Sequence, residues 1–292
     1  MLVPPGIRVS TLGGRAPARG IAAAALAAAG LLGLTGLAAC GSGAGGSASA
    51  ATSGTSGRTC PSDWLAREVG SGREVELLVA AGATIPANRW HAYRAMATAV
   101  AGCAAPGAAL TLRPVTAESL TELPLFSATV PAPVGQNEVN PLLYRSESRR
   151  FAVREAAAVD RLPAVAKTTG GSDPLGALAA AGQSLALEPP SDKRVVVVIF
   201  NGWQQSRALN LFAYRRDPGA STAAVVRSLR GSGALPALTR ADVVIAGVTA
   251  GVASMQTSDA QIAGLCRFWR GVVEAGGGTL KLCVAALPGI DE

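Results

Sequence analysis

Apolar residues along this chain fall into two alternating rhythms. Short, nearly unbroken apolar runs occur at Glu74–Ala80 (EVELLVA), Ala108–Pro114 (AALTLRP), Arg194–Phe200 (RVVVVIF), Asp242–Val248 (DVVIAGV) and Thr279–Ala286 (TLKLCVAA). Runs of this length and make-up read as strands covered on both faces. RVVVVIF is the most strand-like of them and is expected at the centre of the sheet. Leu123–Val130 is a weaker strand, because Pro124 and Pro131 suit only an edge or a strand end. Between these runs, apolar positions recur at three and four over Trp90–Ala101, Pro141–Val165, Pro174–Leu187 and Ser258–Ala275, which predicts helices. Strands alternating with helices call for an α/β fold with a mostly parallel sheet and helices on both faces. Right-handed crossovers make it doubly wound. Arg207–Thr239, which starts RALNLFAYRRDPGA, fits neither rhythm and reads as a partner loop or a variable edge helix.

Doubly wound sheets bind at the carboxyl ends of their strands. That singles out Ala81–Thr84, Asn201–Gln205 and Thr249–Gln256, together with the Thr168–Ser172 turn (TTGGS) that opens the helix at Pro174. In that turn Asp173-Pro174 looks like a helix start, with Ser172 or Asp173 as the cap and proline in the first turn. The long Pro141–Val165 helix carries Arg145, Arg149, Arg150, Arg154 and Arg161. The reading favoured for them is a solvated face with intrahelical pairs such as Glu147–Arg150, over an anionic-ligand patch.

The first 39 residues contain Arg8, Arg15 and Arg19 and no acid, followed by an apolar Ala/Gly/Leu stretch from Gly20 to Leu37. This order describes a secretory signal. Its end, Leu37-Ala38-Ala39-Cys40, resembles the bacterial lipoprotein box, which implies cleavage before Cys40 and acyl chains on that residue. Two or more chains, at about 0.8 kcal/mol per buried CH₂, hold stably. Residues 40–59 then comprise the lipidated cysteine and a Gly/Ser/Ala tether, and residues 60–292 the folded domain. The 18 tether residues 41–58 have a mean reach of about 23 Å. The expected place is the outer face of the cell membrane.

The chain has a formal charge of +7, and without the three leader arginines 23 basic side chains face 19 acidic ones, leaving +4. Such a surplus suits solubility and mild attraction to anionic envelope polymers. With no basic run and few aromatics, nucleic acid is not an expected partner.

The strand–loop–helix from Glu74, the edge strand, the TGGS turn before a helix and the central strand ending in Asn201-Gly202 together resemble a von Willebrand factor A-type domain, a Rossmann-like fold. The resemblance covers nearly all of residues 72–290. It implies a divalent-cation site at the top of the sheet, built from an Asp-x-Ser-x-Ser loop, a hydroxyl in the glycine-rich turn and an Asp-Gly after the central strand. Here the aspartate position is Ala80, the first hydroxyl position Gly82, and only Thr84 keeps an oxygen. The turn keeps Ser172, and Asn201 stands in place of the second aspartate. Magnesium and manganese normally require one or two carboxylates. The site is therefore expected to be degenerate, with no metal and no cofactor.

Around the same mouth lie Asn88, Arg89, Trp90, His91, Trp203, Gln204 and Gln205. Trp and Arg beside amides are residue types of protein interfaces, which makes all of these but His91 a candidate binding surface. His91 is the only histidine. It lies on a helix, and no Gly-x-Ser-x-Gly elbow follows any strand, so catalysis is not expected. Apart from Cys40 there are four cysteines, which in an exported chain point to disulfides. Cys60 precedes the first strand and Cys103 ends the first helix at the same end of the sheet, so a Cys60–Cys103 bridge is natural. Cys266 and Cys283 face each other across a helix–sheet layer. The axes lie about 10 Å apart where a bridge wants Cα atoms within about 7 Å. Small neighbours Ala263 and Gly264 leave that second bridge open. The expected function is a lipid-anchored, non-catalytic module that binds an envelope protein or polymer. The alternatives are a solute-binding or enzymatic lipoprotein using the same crevice, and an adhesion domain using Asp173 and water to hold its cation.

Overall fold

A single six-stranded sheet organises the chain, and its order explains why the apolar runs are unbroken. The computed structural model describes residues 60–80, 85, 87–166, 171–187, 193–248 and 257–290. Helix α1 (Asp63–Glu68) leads into strand β1 (Glu74–Ala80), helix α2 (Ala87–Cys103) and strand β2 (Ala109–Val115). Strand β3 (Phe126–Thr129), short helix α3 (Gln136–Val139), long helix α4 (Pro141–Ala166) and helix α5 (Pro174–Leu187) follow. The last elements are β4 (Arg194–Ile199), α6 (Thr222–Gly231), β5 (Ala241–Ala246), α7 (Asp259–Ala275) and β6 (Thr279–Val284). The strand order is β3-β2-β1-β4-β5-β6. All neighbours are parallel except β2 and β3.

Strand β4 lies between β1 and β5, and Val195 to Ile199 have no exposed surface. Parallel inner strands are covered on both faces, so neither face can be polar. The edges differ. β3 is only four residues long, between Pro124 and Pro131, as the missing N–H of proline requires. On β6 exposed Thr279 and Lys281 alternate with buried Leu280, which blunts the other edge. Helix α2 packs on β1 and β4, α4 on β2 and β3, α5 on β1, β2 and β4, and α7 on β6. Thr55–Glu292 close as one compact unit.

Two disulfides fasten helices to their surroundings. Cys60–Cys103 has a Cα separation of 4.6 Å and ties the start of the described chain to the end of α2. Cys266–Cys283 bridges α7 and β6 at a Cα separation of 5.8 Å, whereas Gly264 faces the turn at Pro218–Gly219 and Ala263 is exposed, so neither small residue accounts for the approach. The undecided Arg207–Thr239 segment contains two 3-10 turns, Leu211–Tyr214 and Pro218–Ser221, and then α6, whose buried Val225 and Leu229 are four apart. The leader, Cys40 and the tether lie outside the described residues.

The most buried charged pair between strands joins β1 and β2. Glu76 on β1 is 3% exposed and accepts from Arg113 Nε on β2 at 3.0 Å. Burial pushes the Glu76 carboxyl above its ordinary range, and the Arg113 cation and the Ser184 hydroxyl only partly offset it. A carboxyl raised in the folded state binds its proton more tightly there than in the unfolded chain, so folding gains stability as pH falls through that range. Glu76→Gln removes this gain. The stability advantage of the wild type over Glu76→Gln should therefore widen between about pH 7 and about pH 4, read from urea midpoints.

Candidate functional site

The turn that opens α5 is fastened to the chain leaving β4. Ser172 N donates to Gln205 O at 3.0 Å and Gln205 N to Ser172 O at 2.8 Å, an isolated antiparallel bridge. Asp173 N donates to Thr116 O at 2.6 Å, which brings the end of β2 into the same junction. Gly171 allows the close approach: its φ is +113°, and a Cβ there would stand 2.8 Å from Gln205 O.

The side chains at this junction are committed. Asp173 Oδ1 accepts from Gly176 N at 3.1 Å, so Asp173 caps α5, with Pro174 at the first helical position. Gln204 is fully buried and passes between turn and strand end. Its Oε1 accepts from Leu175 N at 3.1 Å, and its Nε2 donates to Asp173 Oδ1 at 2.6 Å and to Ser206 Oγ at 2.8 Å. Asn201 Oδ1 accepts from Trp203 N at 3.0 Å, a local side-chain turn. Gly202 takes φ +86°, and its carbonyl accepts from Trp269 Nε1 of α7 at 2.8 Å. The Ser172 hydroxyl oxygen is enclosed and has no hydrogen-bond partner among the described residues.

Two residues expected on a binding surface are corrected by this geometry. Trp203 is 1% exposed and Gln204 has no exposure. Trp203 is covered because its ring stacks on Phe212, with centroids 4.8 Å apart and planes 9° apart. Leu211 N donates to Gln204 O at 2.9 Å, closing that loop over the indole. Gln204 is inside because the first turn of α5 needs an acceptor for its Leu175 N–H. No spacing in the sequence marks it, and the only hint is the helix start at Asp173-Pro174 that needs such an acceptor. Gln205 is exposed, Arg89 and Trp90 are half-buried on α2, and His91 is exposed on the same helix. Asn88 is part of α2, but its side chain lies outside the described residues, as do Gly82 and Thr84.

Ala80 ends β1 at 5% exposure, and the pairing of Val79 with Ile199 brings it to the same sheet end as Asn201. Ala80 offers no ligand atom. Asn201 gives its oxygen to Trp203 N, and Asp173 gives Oδ1 to two N–H donors. Among the described residues, no three His, Cys, Asp or Glu side chains gather to hold a metal. A doubly charged hard cation is normally held through one or two carboxylates, and at these positions the one carboxylate, Asp173, has Oδ1 engaged by Gly176 N and Gln204 Nε2.

Two recesses lie nearby. One, of about 10 Å³ beside Arg89, Tyr93, Met96 and Gly247, is no larger than a single water needs. The other is an open groove of about 720 Å³ along Phe212–Asp217, Ala220 and Ser221. Gln204→Leu keeps the volume of the buried amide but leaves Leu175 N without its acceptor and removes one of the two donors to Asp173 Oδ1. It should lower unfolding free energy by about 1–3 kcal/mol in urea titrations.

No protein-family model matches the chain, and no curated protein matches it. Among solved structures it is similar to the open conformation of the pilus adhesin SpaC from Lactobacillus rhamnosus GG. The TM-score is 0.36 at 8% identity, over 69% of this chain and 26% of the adhesin. The chain thus spans about a quarter of that protein's length.

Proposed function

We propose that this chain is a lipid-anchored, extracytoplasmic binding module built on a doubly wound, von Willebrand A-like domain whose cation site has lost its carboxylates. The observation that carries this reading is the junction of Ser172, Asp173, Asn201 and Gln204. There an uncharged, buried amide makes the bonds that hold turn to strand, and the Asp173 carboxylate serves as a helix cap. The strand order with its single antiparallel edge supports the fold half of the reading. The half-buried Arg89 and Trp90 and the exposed Gln205, on chain leaving the same sheet end, support a contact surface there. Binding an envelope protein or polymer through that surface needs neither metal nor catalytic group.

A small-ligand role is the second reading, and the Phe212–Ser221 groove favours it, since its volume lies within the range of ligand pockets. A ligand at 100 times its Kd would add about 2.7 kcal/mol of stability in a thermal-shift screen.

Calorimetric titration with Mg²⁺ and with Mn²⁺ should give no binding in the micromolar range. Micromolar binding that disappears in Ser172→Ala would refute the degenerate-site reading. Crosslinking on intact cells, followed by purification of the chain, should yield one dominant protein or polymer partner, and its capture should weaken in Gln205→Ala/Arg89→Ala. Recovery of the chain without any enriched partner would count against the module.

A further inference from the structure

Apolar side chains stand in solvent beside arginines at the end of the sheet opposite the Ser172 junction. Val134, Val139 and Leu142 are 67%, 77% and 73% exposed. Hydrogen bonds fix where they sit. Val130 N donates to Ala108 O and Gly107 N to Val130 O, both at 2.8 Å, which docks the end of β3 on the turn before β2. Asn137 Nδ2 donates to Ala132 O at 3.2 Å and to Glu147 Oε2 at 2.6 Å, which fastens α3 to the chain leaving β3 and to α4. The apolar trio therefore belongs to a rigid corner at the amino ends of the parallel strands.

Basic groups surround that corner. Arg145 and Arg149 follow Leu142 by three and seven positions on α4, so the three share a helix face. Both arginines are exposed, and neither makes an ion pair among the described residues. Exposed Arg73 reaches the same corner. Its Nη1 and the Cβ of Ala132 stand 3.8 Å and 3.9 Å from the point a Cβ on Gly107 would occupy. The acids present are Glu138, exposed on α3, and Glu147, which is bonded to Asn137. Three cations thus face one exposed carboxylate around a protruding apolar patch. Further along the same end, Glu68, Glu74 and Asp242 are matched by Lys193, Arg194 and Lys281.

The point of attachment lies at this end too. Cys60, the first described residue, is held to Cys103, which closes α2 just ahead of β2. Gly70, just before β1, lies against the Cys103 carbonyl. Whatever precedes Cys60 joins the domain here.

We propose that the α3–α4 corner docks on the anionic headgroup surface of a lipid bilayer. Val139 and Leu142 enter the interface, while Arg73, Arg145 and Arg149 meet lipid phosphates. An apolar projection ringed by cations fits that surface better than a soluble polyanion, which offers no apolar phase for valine and leucine. Docking would aim the Ser172 end of the sheet away from the membrane, toward its partner. This proposal rests on the anchored reading above only in that the anchor supplies a bilayer within reach.

The test uses residues 55–292, which form a compact unit and lack residue 40. Flotation with phosphatidylglycerol vesicles should capture the unit, and phosphatidylcholine vesicles should not. Capture should weaken as salt is added. Arg145→Gln/Arg149→Gln should lower vesicle affinity about 25-fold, at about fivefold per arginine. Val139→Ser/Leu142→Ser should also lower it while leaving the urea midpoint in place, since both side chains are exposed. The proposal is overturned if phosphatidylglycerol vesicles fail to bind the unit, if both lipids bind it equally, or if the arginine variant binds as the wild type does. Binding to soluble polyphosphate without binding to vesicles would assign the corner to an envelope polymer and equally overturn it. Mass spectrometry of Cys40 in the membrane-extracted chain tests the anchor separately, so either idea can fail alone.

Discussion

Gln204 has no contact with solvent, so every hydrogen bond its amide requires must be found inside the protein. It finds them on three groups: Leu175 N in the first turn of α5, the cap Asp173 that precedes it, and Ser206 in the loop after β4. A helix start leaves its first N–H groups without intrahelical partners, and Leu175 N is one of these. Satisfying it from the end of β4 couples the direction of α5 to the path of the central strand. The backbone pair between Ser172 and Gln205 repeats the coupling, and Asp173 N to Thr116 O extends it to β2. The carboxyl end of the sheet is therefore organised by hydrogen bonds among the Gln204 amide, the Asp173 carboxylate and backbone groups of α5, β2 and the chain leaving β4.

Helix α7 fixes the other side of the same strand end. Trp269 donates to Gly202 O, while its ring meets Phe200 and Phe268 edge-on, each at 5.2 Å. Ser258 and Gln261 form a reciprocal cap at the start of the helix, and Cys266–Cys283 bonds its middle to β6. The Asn201-Gly202 turn is consequently held from both flanks, by α5 through Gln204 and by α7 through Trp269. That explains the left-handed backbone at Gly202, where a Cβ would stand 2.9 Å from Val248 Cγ1.

Periodicity made the frame of the fold readable. RVVVVIF and EVELLVA announce inner strands because a parallel sheet buries both faces, and the flanking prolines correctly demoted Leu123–Val130 to an edge. The cap at Asp173-Pro174 was readable for the same reason: its chemistry is local. What could not be read was anything set by packing between distant segments. Trp203 and Gln204 look like a polar, aromatic rim until Phe212 and the start of α5 are known to cover them. Helix α6 was obscured because the two 3-10 turns before it mask its period. The Cys266–Cys283 approach depended on how closely α7 settles on β6, a distance that residue spacing does not encode.

The Cys60–Cys103 bridge closes a ring in which α1, β1 and α2 all lie, with the two cysteines 43 positions apart. A pull applied to the chain ahead of Cys60 would pass across the sulfurs directly to the end of α2. The enclosed segment is removed from the load path, and β1 cannot be peeled off its neighbours from that terminus. Under such a load the domain would yield only where β2 and the strands beyond it let go.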